Sequence, residues 1–219
     1  MKKILAVAAA IAVSITSAFA YTHNVGIGFT VPISKVGTKS AEESDIFQIG
    51  YGAHGYYAGV LDCGFTFKIA ESAGLSTSKD VEVRGTNAKY GIFANTSVGA
   101  GWSFIHSDRV TLSVLGMLGF ILSAYPKSES LFYQGFLHDY TYTLGVVMFD
   151  VGGDLHFSYK LGENMGLFAN VEARYLVAGT EFGSISDTWN GRTTTSTIEL
   201  GDLRGKFHVA PTIGLSWKF

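Results

Sequence analysis

The sequence predicts an all-β fold: an eight-stranded antiparallel up-and-down transmembrane β-barrel that follows a cleaved signal peptide. Three observations lead to this prediction. The chain opens with the pattern of an export signal, its composition is that of a membrane protein that lacks a membrane-spanning helix, and eight later segments alternate apolar and polar residues.

The first twenty residues have the three parts of a secretory signal peptide. Met1–Lys3 is positively charged, Ile4–Ile15 is apolar, and Ala18–Ala20 has the small-x-small pattern of a cleavage site. The apolar part is shorter than the roughly 20 residues with which a helix spans a bilayer, which disfavours a retained anchor. We therefore predict a signal peptide over residues 1–20 and a single mature domain over residues 21–219.

Charge and cysteine content argue against several classes of function. Of the 16 Lys and Arg residues, two lie in the predicted signal peptide, which leaves 14 against 18 Asp and Glu residues. The sequence has no basic patch of the kind that nucleic acid requires, so we expect no nucleic-acid partner. Cys63 is the only cysteine, so no intramolecular disulfide and no cysteine metal cluster can form. We expect neither a metal nor a cofactor.

The chain is apolar, yet after the signal peptide it offers no good transmembrane helix. Over all 219 residues the mean hydropathy is +0.24 and charged residues make up 16%, against about 25% in ordinary soluble proteins. The best helical candidate, residues 110–126, is interrupted by Ser, Thr and Gly and reaches only the lower length limit. A closed β-barrel is the other structure that satisfies every backbone polar group in lipid.

Eight segments alternate apolar and polar residues with the period of a β-strand. They are residues 24–31, 47–54, 60–69, 90–104, 110–122, 147–160, 167–177 and 206–219. Their charged residues all fall on the polar face. A charge on the lipid face at mid-bilayer costs about 2–4 kcal/mol, so this segregation favours a membrane barrel. A soluble barrel would have its polar face outside.

The connections between these segments are of two kinds. Residues 105–109 and 160–165 are short turns, whereas residues 34–44, 71–88, 123–140 and 179–203 are long and polar. Short periplasmic turns that alternate with long extracellular loops are typical of outer-membrane barrels. For the alternation to hold, another short turn is needed near His54–Ala58. We also expect a bulge at Pro211, and a change of phase near Leu144–Val147.

The last strand carries the most specific motif. Ile213, Leu215, Trp217 and Phe219 place an apolar residue at every second position up to the terminal Phe. This pattern resembles the C-terminal strand that the bacterial barrel-assembly machinery recognises, and the whole mature chain resembles the small eight-stranded OmpX/OmpW-like outer-membrane barrels. The resemblance implies a location in the cell outer membrane, surrounded by its lipid. An OmpW-like protein would also conduct small apolar solutes.

The interior predicted for this barrel departs from an apolar conduit. Eight strands enclose a space that side chains just fill, and unpaired charges inside it are costly. We therefore predict a polar network in the lumen, built from Asp150, Asp154, Glu172 and Arg174.

His156 and Ser158, with Glu172 nearby in sequence, resemble the His-x-Ser pair of barrels that deacylate lipid A. A serine nucleophile needs a base within hydrogen-bond reach and an oxyanion donor. The predicted face of these residues is the lumen, whereas a lipid A deacylase works at the lipid face. A lipid A-modifying hydrolase is therefore a minor alternative.

The main functional prediction is a non-enzymatic barrel that is structural or that binds an extracellular ligand or host surface through its four long loops. Trp189 and Arg192, in the loop over residues 179–203, are the candidate contact residues, because an exposed Trp is a common contact in interfaces. An OmpW-like narrow channel for small apolar solutes is the alternative.

Overall fold

The computed structural model describes residues 22–38, 45–78, 82–83, 86–87, 89–133, 136–189 and 192–219. The predicted signal peptide lies outside these residues. Eight long strands form the barrel: β1 in two segments (Thr22–Thr30 and Ile33–Thr38), β2 (Asp45–Val60), β3 (Phe65–Ser78), β4 (Tyr90–His106), β5 (Val110–Tyr133), β6 (Phe136–Lys160), β7 (Met165–Trp189) and β8 (Arg192–Lys218). Two short strands, Glu82–Val83 and Thr86–Asn87, pair with each other between β3 and β4.

Every long strand pairs antiparallel with the next one along the chain, and the ring closes between the first and the last strand. β1 pairs with β2 from Thr22↔Val60 to Thr30↔Gly52, and with β8 from Asn24↔Lys218 to Thr30↔Thr212. The closed part of the ring has no unpaired sheet edge, as a membrane protein that crosses the bilayer with β-strands requires. The predicted eight-stranded up-and-down barrel is confirmed. No helix in the described part of the chain is long and apolar enough to cross a membrane.

The strands present the predicted faces. Along β7, polar Asn170, Glu172 and Arg174 are buried, while apolar residues between them are exposed. The same holds around the ring, so the apolar side chains form an outer belt and the polar ones fill the interior. The charged exception within the belt is Glu71 of β3, whereas Lys35 of β1 lies outward beside Phe207 near the hairpin end. β3 continues beyond Ile69, where the predicted strand ended, and this continuation places Glu71 on the outer face.

The turn predicted near His54–Ala58 was wrong. β2 runs without a break to Val60, and the chain turns over residues 61–64. The turn is closed by a hydrogen bond from Gly64 N to Leu61 O (2.8 Å). Gly64 has a φ of 89°, a left-handed conformation that glycine adopts without strain. Cys63 is consequently exposed in a turn and does not lie on a strand.

Much of the predicted long loops is strand. The predicted loops over residues 123–140 and 179–203 are the upper parts of two hairpins, β5–β6 and β7–β8, whose strands continue to Tyr133 and Trp189. Residues 71–78 likewise belong to β3. The predicted turns over 105–109 and 160–165 contain the observed ones. We call the end of the barrel with the short turns the turn end, and the other the hairpin end.

The expected bulge at Pro211 was wrong, because β8 keeps its register with both neighbours there. Pro211 pairs with Val171 of β7, and on its other side its carbonyl accepts a hydrogen bond from Val31 N (3.1 Å). The reciprocal donor is missing because proline has no N–H. The strand interrupted is therefore β1, at residues 31–32. The phase change near Leu144–Val147 was also wrong: Leu144, Val146 and Met148 are all buried.

Candidate functional site

A series of ion pairs occupies the middle of the barrel interior. Lys68 Nζ lies 2.8 Å from Asp154 Oδ2 and 3.9 Å from Glu172 Oε1. Arg174 Nη2 lies 3.2 Å from Glu172 Oε2, and its Nη1 lies 2.9 Å from Asp150 Oδ1. The structure thus brings the four predicted network residues together and adds Lys68, which joins β3 to β6 and β7 across the lumen. Their side chains are at most 2% exposed.

Strand register and two glycines position these charges. Asp154 and Glu172 are direct cross-strand partners in the β6–β7 ladder. A Cβ at Gly119 of β5 would collide with the Arg174 guanidinium and the Asp150 carboxylate, and one at Gly152 would meet the Arg174 stem. Glycine therefore provides the space in which the guanidinium lies. Asp154 Oδ1 also accepts a hydrogen bond from Asn170 Nδ2 (3.2 Å).

Aromatic rings fill the interior between the ion pairs and the turn end. The Tyr56 ring lies 4.7 Å from the His156 ring and 4.8 Å from that of Phe168, both edge to face. The Lys68 ammonium stands 5.2 Å from the Tyr56 ring centroid, within the range of a cation–π contact. His54 Nδ1 is 2.9 Å from Ser72 Oγ.

His156 and Ser158 both point into the barrel and do not bind each other. Neither ring nitrogen of His156 has a hydrogen-bond partner. The Ser158 hydroxyl accepts a hydrogen bond from Asn24 Nδ2 (3.2 Å), and Glu172 is engaged by Arg174 and Lys68. The base–nucleophile contact that acyl transfer requires is not formed in this arrangement.

Apolar side chains close the interior toward the hairpin end. They form one cluster that consists of Val36, Ile121, Tyr125, Leu144, Val146, Met148, Leu176 and Leu203. Small cavities lie in the interior formed by the described residues, among them one beside Gln48, Ser76 and His208 and one beside Asn24 and Ser158. Each of these two holds about 10 Å³, about the least volume that accommodates a single water molecule. The lumen is packed rather than open.

The two hairpins join into one four-stranded sheet beyond the apolar belt. β6 and β7 pair as far as Asp139↔Thr188. β5 follows β6 to Tyr133, although its pairing with β4 ends at Ala124. β8 pairs with β1 only as far as Leu203. The sheet, which we call the projecting sheet, therefore has two outer edges with no partner strand among the described residues.

A row of stacked rings lies on one face of the projecting sheet. The Trp189 ring is stacked on His138 (5.7 Å), His138 on Tyr140 (5.8 Å), and Tyr140 on Tyr142 (6.2 Å). His138 Nδ1 is 3.1 Å from Asp187 Oδ1. The predicted contact residues are at the tip: Trp189 is 41% exposed and pairs across the hairpin with the exposed Arg192.

The terminal motif lies on the outer belt. Ile213, Leu215 and Phe219 are exposed there, and Trp217 is half-buried. The backbone of Phe219 closes the ring at the turn end, because its N–H donates to His23 O (2.9 Å) and its carbonyl accepts from His23 N (3.1 Å). In the described part of the chain, no group of three His, Cys, Asp or Glu side chains is placed to hold a metal ion.

Comparison with solved structures agrees with this fold. No protein-family model and no curated protein matches the sequence. A major outer membrane protein from Thermus thermophilus is 11% identical, with a TM-score of 0.55 over 89% of this chain and 99% of the other. The outer membrane protease OmpT from Escherichia coli is 12% identical (TM-score 0.44; 91% and 97%). OprG from Pseudomonas aeruginosa is 11% identical (0.39; 91% and 96%).

Of these three, the Thermus protein alone has a TM-score above 0.5, so only its likeness bears on the fold. Its likeness agrees with the closed ring of strands described above. In outer-membrane barrels the short turns face the periplasm and the long connections face the outside. This chain is a closed eight-stranded barrel of the outer-membrane type, similar in fold to the Thermus protein.

Proposed function

We propose that the protein is a non-enzymatic outer-membrane barrel that binds partners at the cell surface through the projecting sheet, while its lumen does not conduct. The packed interior is the observation that carries this proposal. Aromatic rings, ion pairs and the apolar cluster follow one another from the turn end to the hairpin end. A solute crossing the barrel would have to break the ion pairs and displace the rings.

The projecting sheet offers surface and backbone for binding. β5 continues for 11 residues beyond Leu122 of the belt, which is about 36 Å of strand. Unpaired N–H and C=O groups along a sheet edge can accept an extended segment of another chain as an added strand. Residues 125–133 of β5 form an edge of this kind that has no partner strand among the described residues.

The tip of the β7–β8 hairpin carries the side chains suited to contact. Trp and Arg are the residue types on which interfaces most often depend. Trp189 is held in place by the His138 ring, so its ordering entropy is partly lost before any partner binds. Arg192 stands beside it across the hairpin.

Flux measurements test the closed lumen. The purified barrel in liposomes should give no more leakage of ions or small apolar solutes than liposomes without protein. Reproducible, concentration-dependent flux would overturn the closed lumen and favour the OmpW-like channel. Release of fatty acid from lipid A by the same preparation would favour the hydrolase alternative.

Binding measurements test the surface role. Barrels in lipid nanodiscs are passed over immobilised extracellular-matrix proteins and glycans, and the surfaces that retain them are measured again with Trp189→Ala and Arg192→Ala. We expect each substitution to weaken binding about tenfold or more. Arg109→Ala, exposed in a turn at the opposite end of the barrel, is the control. If the two tip variants bind as well as the control variant, the tip of the β7–β8 hairpin does not contact the partner.

A further inference from the structure

A glutamate lies at mid-depth on the outer face of the barrel. Glu71 is six residues from Phe65, which pairs with Trp102, and six from Thr77, which pairs with Tyr90. These aromatic residues mark the two ends of the belt on β4. Six residues are about 20 Å of strand, or about 15 Å of depth at a tilt of about 40°. Glu71 therefore lies near the middle of an apolar band about 25 Å tall.

The carboxylate of Glu71 has no partner within the described part of the chain, where it forms neither a hydrogen bond nor an ion pair. It is exposed on the outside of β3, and no other charged side chain of the described strands lies on the outer face at this depth. A polar group in the hydrocarbon region is costly unless it finds a partner. A second molecule embedded in the membrane could supply the partner that the Glu71 carboxyl lacks.

The surface around Glu71 is shaped for close contact. Its cross-strand neighbours are Gly55 on β2 and Thr96 on β4. Ala73 and Ala94, also outward, form the next cross-strand pair toward the hairpin end. All are small and line one end of a broad groove of about 1330 Å³ on the outer surface, which also runs over β1, β8 and β7 to β6. Small residues let two membrane-embedded surfaces approach until their polar groups meet.

We propose that this face is the contact surface of a homodimer, in which Glu71 of each copy accepts a hydrogen bond from the Thr96 hydroxyl of the other. The surface carries a donor and an acceptor side by side at nearly one depth, so it is complementary to itself. Two copies inserted in the same direction are related by a two-fold axis along the membrane normal, which brings equal depths together. Lipid headgroups do not reach mid-depth, and water is absent there.

Cys63 makes the test direct, because it is the only cysteine in the sequence and is exposed in a turn. The purified full-length barrel is labelled there with donor and acceptor maleimide dyes and reconstituted into phosphatidylcholine vesicles at low density. We expect energy transfer above the level of random proximity. Glu71→Leu and Thr96→Val should each weaken dimerisation about tenfold or more, the effect of losing two buried hydrogen bonds.

Two further variants keep the proposal falsifiable. Glu71→Gln retains an acceptor and should retain energy transfer. Val171→Ala, at similar depth on the opposite wall, should leave it unchanged. Migration of unheated samples in detergent gels shows that each variant is folded. Random-level transfer by the original sequence, or full transfer by folded Glu71→Leu and Thr96→Val, would overturn the homodimer and leave another membrane protein as the occupant.

Discussion

Lys68 is the interior cation that joins opposite walls of the barrel, and Lys68→Met is the most informative single change. Its ammonium lies 2.8 Å from Asp154 and 3.9 Å from Glu172, and its side chain is 0% exposed. At an effective dielectric constant of about 20, unit charges at these distances attract by about 6 and about 4 kcal/mol. Desolvation offsets much of this attraction in the intact protein.

The substitution removes the attraction and leaves the desolvation of the two carboxylates in place. Breaking a buried ion pair on one side costs about 3–5 kcal/mol for this reason. The cation–π contact with Tyr56 is lost as well. We therefore expect Lys68→Met to lower the free energy of unfolding by about 3–5 kcal/mol. Met fills a similar volume, so little of the effect comes from a cavity.

Urea titration of the refolded barrel in phosphatidylcholine vesicles measures this change, with tryptophan fluorescence as the signal. Lys127→Met is the matched control, because Lys127 pairs with Glu129 at 2.8 Å but is 22% exposed and should cost less than about 1 kcal/mol. Combining Lys68→Met with Asp154→Leu should recover part of the loss. If Lys68→Met costs no more than Lys127→Met, the interior is hydrated and the packed lumen is refuted.

Three further outcomes are expected. Gly119→Ala should destabilise the barrel by about 1–3 kcal/mol in urea titration, because the added Cβ would displace the buried Arg174–Asp150 pair. Gly153→Ala is the control and should be nearly neutral, because its Cβ would stand 3.4 Å from its nearest neighbour. Deletion of Phe219 should reduce the folded fraction in cells, measured by gel migration, if the terminal motif guides assembly. Burial raises the pKa of Glu181, so protonation of this carboxyl stabilises the folded projecting sheet. The sheet should therefore be better protected from amide exchange as the pH falls through that pKa, and Glu181→Gln should abolish this pH dependence of the protection.

The sequence predicted the faces of the strands well because lipid imposes a strict alternation. It failed at the β2–β3 turn, where His54 and Gly55 resemble turn residues. The glycines in this region instead make room for rings: a Cβ at Gly26 of β1 would collide with Tyr56, which points inward from β2. A glycine that accommodates a ring from the neighbouring strand and a glycine that permits a turn are identical in sequence.

Lys68 shows the other limit of sequence reasoning. Its inward direction follows from alternation, but its partners depend on how far each strand is shifted along the barrel axis. Those shifts arise from register, as in the pairs Lys68↔Gly99 and Glu172↔Asp154, and no local pattern encodes them. For the same reason, the predicted network contained the neighbouring charges of β6 and β7 and omitted the cation from β3.

The ion pairs bear on specificity as well as on stability. A slip of one residue in a strand exchanges its two faces. In β3 such a slip would turn Lys68 into the lipid and leave Asp154 and Glu172 without a cation. Lys68 crosses the lumen from β3 to β6 and β7, so it couples the registers of opposite walls rather than of neighbouring strands. The charged interior therefore favours a single register of β3 in the closed ring.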